Sequence, residues 1–276
     1  MQPTIDFHIH TSASDGTYSP RRLIDEVLKK QLACFAVTDH DETRHVDEVG
    51  ALARAYGIGF LRGVEISAVH QGRIYHITTY GCDFDTPMLN DVLRHNNEVW
   101  HNIDLARIHS LSTTETHADL AEFLAYRHDE SRGGWRSLNY MLDKGIVSDL
   151  DEYFSFSFPG TYQSDFTPLA DVLKAIRSAG GLAFLAHPAY YKTTGSFFSY
   201  ENLDTLFSLG IDGLECYTTY NTSEEEARYY QHYATAHGLL ISGGSDCHGD
   251  FIPARKLGRP AITVDMVGSW FEKYIQ

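Results

Sequence analysis

The segment TIDFHIHTSASDG, which begins at Thr4, places two histidines two positions apart. Side chains of an extended strand alternate between its faces. His8 and His10 therefore share one face, and the apolar residues that alternate with them, Ile5, Phe7 and Ile9, share the other. Neutral imidazole is a common metal ligand, and two imidazoles on one face can bind a single ion. The loop that follows is rich in turn formers and can return Asp15 over the strand end. A pair of surface histidines would explain this segment equally well if it stood alone.

Further histidines and carboxylates lie in or at the ends of the strands predicted later in the chain. They are His40, Glu65, His76, His187, Asp246 and His248. The predicted strands alternate with helices, which implies parallel strands with right-handed crossovers, in a barrel or a doubly wound sheet. In a parallel barrel the carboxyl ends of the strands converge on one mouth, where active sites lie. Six histidines and three carboxylates at such a mouth predict a metal centre.

The strand–helix alternation is interrupted in the middle of the chain. From about residue 86 to residue 150 the pattern indicates one polar helix after another and no convincing strand. Alternation resumes near Pro168, after an aromatic stretch that contains Pro and Gly. We therefore predict a catalytic barrel formed by residues 1–85 and 164–276, and a small helical insertion formed by residues 86–163.

The composition limits the classes of partner. The chain has 276 residues, 22 Lys and Arg against 37 Asp and Glu, and a formal net charge of −15. Such a surface repels polyanions, so we expect no binding of duplex nucleic acid. The four cysteines form no CxxC pair, and neither a signal pattern nor a long apolar run is present. We expect a cytoplasmic protein that does not associate with membranes, and the sequence carries no indication of its oligomeric state.

Six segments together resemble the polymerase and histidinol phosphatase (PHP) family of metal-dependent phosphoesterases. They are DFHIHTSASDG, TDHDET, GVEIS, YHITTYG, LAHP and GSDCHG, and the resemblance covers roughly residues 4–83 and 165–250. It implies a distorted (β/α)7 TIM-like barrel with a trinuclear metal site. In that assignment, one ion is bound by His8, His10, Glu65 and Asp246, a second by the bridging Glu65 with His76 and His187, and a third by Asp15, His40 and His248.

The resemblance and the residue types imply the same chemistry. Imidazole and carboxylate ligands suit Zn, Mn or Fe, and two to three such divalent ions would make the mouth electropositive within an acidic chain. Two close ions polarise a phosphoryl oxygen and lower the pKa of a shared water. We therefore predict metal-bound hydroxide as the nucleophile, with Glu65 as the bridging ligand. Asp39 is a candidate for orienting a ligand imidazole, although a solvated loop acid is an equally good explanation.

The helical insertion resembles that of one PHP branch, which acts on AMP or nucleoside 3′,5′-bisphosphates and uses basic residues of its insertion to hold the substrate phosphate. Here the first insertion helix offers only Arg94 and Arg107. Our candidates for substrate contact are Arg132, Arg136 and Trp135, the last by stacking on a base. Solvated arginines and a packed tryptophan explain the same residues equally well.

We expect hydrolysis of a phosphomonoester of a small phosphorylated metabolite, with a nucleotide favoured over histidinol phosphate. Two other classes are the alternatives. A non-catalytic metal-binding scaffold is disfavoured because the full ligand set is present. A different hydrolase, such as an amidohydrolase, is disfavoured because no strand end offers a bridging lysine.

Overall fold

The computed structural model describes residues 2–113, 117–156, 165–193 and 196–276. Its sheet has eight strands: β1 (Thr4–Asp6), β2 (Leu32–Val37), β3 (Gly59–His70), β4 (Arg73–Tyr80), β5 (Leu182–Leu185), β6 (Gly213–Thr218), β7 (Leu240–Gly244) and β8 (Ile262–Thr263). The first seven strands are neighbours in chain order. Strand β8 pairs antiparallel with β1, on the edge opposite β2. The sheet closes where the chain after β1 meets β7, because Phe7 N donates to Gly243 O at 3.1 Å. The predicted distorted TIM-like barrel is confirmed.

The distortion comes from a hairpin in the middle of the barrel. Strands β3 and β4 pair antiparallel over eight residue pairs, and β4 also runs antiparallel to β5. The turn consists of Gln71 and Gly72, whose φ angles of 49° and 75° suit a tight two-residue hairpin. The hairpin sets His76 opposite Ser67, two residues along β3 from Glu65.

Ten helices surround or extend the sheet within the described residues. They are α1 (Pro20–Lys30), α2 (Val46–Ala55), α3 (Pro87–Ser112), α4 (Leu120–Ala125), α5 (Arg136–Asp143), α6 (Leu150–Ser155), α7 (Leu169–Ser178), α8 (Tyr200–Leu209), α9 (Glu224–Ala236) and α10 (Val264–Val267). The first begins with Ser19, whose side chain accepts from Arg22 N, and with proline at the first helical position, both of which favour a helix start. Among these helices, none has the length and apolar character needed to cross a membrane.

The insertion has a hydrophobic core of its own. Phe123, Leu138 and Met141 are among the buried residues of that cluster, whereas the barrel helices pack on a separate, larger one. The 26-residue helix α3 belongs to both, because Leu89 packs in the barrel cluster and Ile108 in that of the insertion. The predicted start of the insertion at residue 86 therefore coincides with the start of a helix that both units share. Its predicted end at residue 163 lies outside the described residues.

Helix α3 is fastened to the barrel by a buried aspartate. Asp41 accepts hydrogen bonds from Asn96 Nδ2 at 2.7 Å, Trp100 Nε1 at 3.1 Å and the backbone N of Ser67 at 3.1 Å. Burial raises the pKa of Asp41 to about 6, although these donors favour the ionised form. Because Asp41 directly follows a predicted metal ligand, His40, this network ties the position of the insertion to the barrel mouth.

Candidate metal centre

The nine predicted ligands lie together at one end of the barrel. Asp15 and His40 lie in the loops that follow β1 and β2, while Glu65 and His76 lie within β3 and β4. The others closely follow a strand: His8 and His10 after β1, His187 after β5, and Asp246 and His248 after β7. Seven of the nine are buried, and His40 and His76 are only partly exposed. Strand ends that are distant in sequence therefore converge as predicted.

Glu65 lies at the centre of this cluster and contacts five imidazoles. Its Oε2 atom lies 3.2 Å from His8 Nε2, 3.3 Å from His10 Nε2 and 3.2 Å from His40 Nδ1, and its Oε1 atom lies 3.3 Å from His76 Nδ1 and 3.0 Å from His187 Nε2. Burial alone would raise the pKa of Glu65, but the surrounding histidines lower it well below its usual value. The carboxylate is therefore ionised. Its Oε2 atom faces His8, His10 and His40, and its Oε1 atom faces His76 and His187.

The potential ligand atoms form three overlapping groups, each with all its atoms within 4.8 Å of one another. The first group contains the four residues expected around one ion: His8, His10, Glu65 and Asp246. The second joins His10 to the expected set of Asp15, His40 and His248, and the third consists of His40, Glu65 and His76. His10 and His40 thus each belong to two groups, and His187 joins the cluster through its contact with Glu65.

Buried atoms without hydrogen-bond partners indicate that the cluster fits divalent metal ions. In the described part of the chain, the Nδ1 atoms of His10, His40, His76 and His187 and Oε2 of Glu65 have no such partner. Each buried atom left unsatisfied would cost about 1–3 kcal/mol. In addition, His8 Nε2 and His10 Nε2 lie 3.1 Å apart, and both are close to Asp246 Oδ1. Imidazole nitrogens and carboxylate oxygens that converge in this way form a donor set suited to Zn, Mn or Fe.

Glu215 supports this cluster from behind and is not among the residues predicted from the sequence. Its two oxygens lie 3.1 and 3.2 Å from His8 Nδ1, and Oε2 accepts from His187 N at 2.6 Å. A carboxylate on Nδ1 fixes the ring so that Nε2 points toward the metal site. The available signal was a single acidic residue within the apolar run GLECY, because a charge in the middle of a buried strand needs a partner.

Asp246 is held in a similar way by two residues that sequence reasoning also missed. Its Oδ2 accepts from Arg255 Nη1 at 2.6 Å and from Tyr220 OH at 3.0 Å, so Oδ1 is left facing His8 and His10. The guanidinium also lies 4.9 Å from the centre of the Tyr220 ring. No motif marks either residue, because Arg255 lies nine positions after Asp246 and Tyr220 comes from the loop after β6.

Asp39 has a different role from the predicted one. Among the described residues its carboxylate accepts from Thr11 N at 2.7 Å, Thr11 Oγ1 at 2.6 Å and Ser14 Oγ at 2.6 Å. None of these partners is a ligand imidazole. Asp39 instead orders the loop that carries Asp15.

The cluster opens into a cavity of about 840 Å³ between the barrel and the insertion. This volume lies within the range of small-molecule sites. The insertion side includes Trp135, Tyr153 and Phe154, and the barrel side includes Tyr190 and Tyr220. Arg107 of α3 also lines the cavity, 4.0 Å from the centre of the Tyr153 ring, and burial lowers its pKa to about 10. The cavity thus joins a polar floor to aromatic walls.

The three predicted substrate contacts have different surroundings in the structure. Trp135 lines the cavity and lies parallel to Tyr153, with 5.9 Å between ring centres. Arg136 donates to the backbone carbonyls of Phe123, Leu124 and Tyr126 at 2.7–3.0 Å, at the end of α4.

Arg132 pairs with the carboxylate of Asp143 at 2.8 Å and is not among the residues that line the cavity. Of the three predicted substrate contacts, therefore, Trp135 is the one that lines this cavity with no polar side-chain partner among the described residues. The two arginines have structural partners within the insertion.

Comparisons with known proteins agree with this geometry. The PHP domain model matches residues 6–153. The 3′,5′-nucleoside bisphosphate phosphatase of Chromobacterium violaceum is 30% identical over 263 residues, which cover 92% of this chain and 90% of that protein. A 5′-3′ exoribonuclease of Haemophilus influenzae is 27% identical and covers 99% of this chain and 100% of its own length.

Among solved structures, a provisionally assigned metal-dependent phosphoesterase from Bifidobacterium adolescentis superimposes with a TM-score of 0.79 and 26% identity. The match covers 96% of this chain and 94% of that one. The family match, the identity to the Chromobacterium phosphatase and the converging ligands lead to one conclusion: this chain belongs to the PHP domain family of metal-dependent phosphoesterases.

Proposed function

We propose that the protein is a phosphatase that hydrolyses a phosphomonoester of a small nucleotide, of the AMP or nucleoside 3′,5′-bisphosphate class. The observation that carries this proposal is the cluster of nine predicted ligands centred on Glu65, seven of which line a cavity with aromatic walls. The Chromobacterium relative, a 3′,5′-nucleoside bisphosphate phosphatase, supports a nucleotide substrate.

Two to three divalent ions of Zn, Mn or Fe, when bound, would polarise the phosphoryl group and activate water. The protein's own contribution is to position their ligands. Glu65 is shared among the imidazoles, Glu215 fixes His8 from behind, and Arg255 holds Asp246. The aromatic walls would exclude bulk water and hold the part of the substrate that does not react.

A phosphodiester is the alternative substrate, since the Haemophilus relative is an exoribonuclease. The net charge of −15 argues against a long polyanion, because the surface outside the mouth would repel it. A short oligonucleotide therefore belongs in any test of the substrate.

The test is hydrolysis of AMP, adenosine 3′,5′-bisphosphate, histidinol phosphate and a short 5′-phosphorylated oligonucleotide. Inorganic phosphate is measured for every compound and mononucleotide product for the oligonucleotide, with metal content determined on the same preparation. We expect release from the nucleotides, loss of activity with a chelator and recovery when a divalent ion is added. Faster cleavage of the oligonucleotide would assign a nuclease instead. Full metal occupancy without release from any compound would refute a phosphatase of this class.

A further inference from the structure

Two exposed aromatic rings from separate parts of the chain line the same cavity. Phe154 belongs to α6 of the insertion, and Tyr190 belongs to the turn Pro188–Tyr191 that follows β5 of the barrel. Each side chain is 59% exposed, and both line the cavity above the ligand cluster. Single exposed apolar residues are ordinary on a protein surface. Two such rings from separate elements, both lining the cavity above the ligand cluster, are better explained by a shared ligand.

Both rings are held by neighbouring aromatic side chains, yet each residue remains 59% exposed. Tyr190 makes edge-type contacts with His187 and Tyr220, at 5.6 and 5.3 Å between ring centres. Phe154 makes edge-type contacts with Trp135 and Tyr153, at 5.5 and 5.4 Å.

No ring of the described residues lies parallel to Phe154 or Tyr190, whereas Trp135 and Tyr153 lie parallel to each other. A planar ligand could therefore stack on Phe154 and Tyr190 without displacing a parallel ring of the described residues.

The position of Tyr190 relative to the metal centre is fixed by the backbone. Tyr190 N donates to His187 O at 2.8 Å, and His187 Nε2 lies 3.0 Å from Glu65. A substrate whose phosphate reaches the ligand cluster would therefore extend the group it carries past this ring. Bases stack on aromatic side chains whatever their identity, because each has a π face.

We propose that Phe154 and Tyr190 form a base-stacking clamp, which selects phosphomonoesters that carry a nucleobase over those that carry only a sugar. This inference rests on the proposed phosphatase function and assigns two residues to recognition of the base. The clamp requires no particular base, since neither ring offers the paired donors and acceptors that would distinguish one base from another.

The test compares AMP with ribose 5-phosphate, which has the same phosphate and sugar but no base. The readout is the ratio of their kcat/KM values in the wild type, Tyr190→Ala and Phe154→Ala. We expect the ratio to fall roughly 5- to 100-fold in either variant, mainly through KM for AMP, because stacking on one aromatic side chain contributes that much to binding. Tyr190→Phe and Phe154→Tyr keep a ring and should keep the ratio.

Leu124→Ala is the matched control, since Leu124 is 57% exposed on the insertion but does not line the cavity. An unchanged ratio in both alanine variants would overturn the clamp. If none of the compounds is hydrolysed, the phosphatase proposal fails while the clamp can still be measured by binding. Fluorescence quenching of ethenoadenosine 5′-phosphate by the wild type, reduced in Tyr190→Ala, would support the clamp, and absence of quenching would reject it.

Discussion

The barrel mouth and the helical insertion differ in how their polar side chains are satisfied. At the mouth, buried nitrogens of four histidines lack hydrogen-bond partners within the described residues. In the insertion, Arg132 pairs with Asp143, Arg136 binds three carbonyls and Ser137 bonds to Asp104. Unsatisfied buried atoms are costly, so they mark a place where a ligand completes the structure. Charged groups that already have protein partners, such as these arginines, stabilise the fold of the insertion even though they lie close to the cavity.

The largest expected effect is that of Glu65→Gln, which tests the centre of the mouth. The change removes the charge that five imidazoles share, so turnover should fall by orders of magnitude. Phosphate release and metal content should be measured together, with thermal unfolding as the check on folding. Near-normal turnover at unchanged metal content would contradict a bridging role for Glu65.

Glu215→Gln tests whether the support behind the mouth is also part of the metal site. We expect metal affinity to weaken about 10- to 100-fold, as is typical when the carboxylate behind a ligand histidine is lost. Competition with a chromophoric chelator would measure it. Glu226→Gln is the matched control, because Glu226 is a buried carboxylate whose partners are Lys192 and Thr222. Equal loss of metal affinity in both variants would mean a general loss of stability.

Arg136→Ala tests the insertion side of the comparison. Removing a charged donor from three carbonyls should lower the free energy of unfolding by about 1–3 kcal/mol. KM for AMP should stay the same, because the guanidinium is already committed to the backbone at the end of α4. Denaturant unfolding and steady-state kinetics provide the two measurements. A raised KM at unchanged stability would restore Arg136 as a substrate contact.

Arg132→Ala should have the smallest effect. Its partner Asp143 is exposed, as Arg132 is, and exposed ion pairs contribute at most about 1 kcal/mol. We expect stability within that range of the wild type and unchanged kinetics, measured beside Arg136→Ala in the same assays. A clear rise in KM for a bisphosphate nucleoside would show that the pair with Asp143 opens to admit a phosphate.

The convergence of the nine predicted ligands could be expected from the sequence because their chemical types recur in or at the ends of alternating strands, where the topology itself brings them together. Glu215 could not be assigned a role in the same way, since it lies within β6 and only the closed barrel shows that it reaches His8. The partners of Arg132 and Arg136 in the insertion could not be foreseen for another reason. Whether Arg136 faces a ligand or a helix end depends on how α4 and α5 pack, and no local pattern encodes that packing.

The shared helix α3 has a consequence for how this architecture can be recombined. Its first turns belong to the barrel core, its last turns belong to the insertion core, and Asp41 fastens its middle to the mouth. A chimera that exchanges insertions between relatives at the loop before residue 87 would also replace Leu89, Val92 and Leu93, which belong to the barrel core. A junction placed within α3, after Trp100, would leave the barrel and its ligand cluster whole and transfer the insertion side of the cavity.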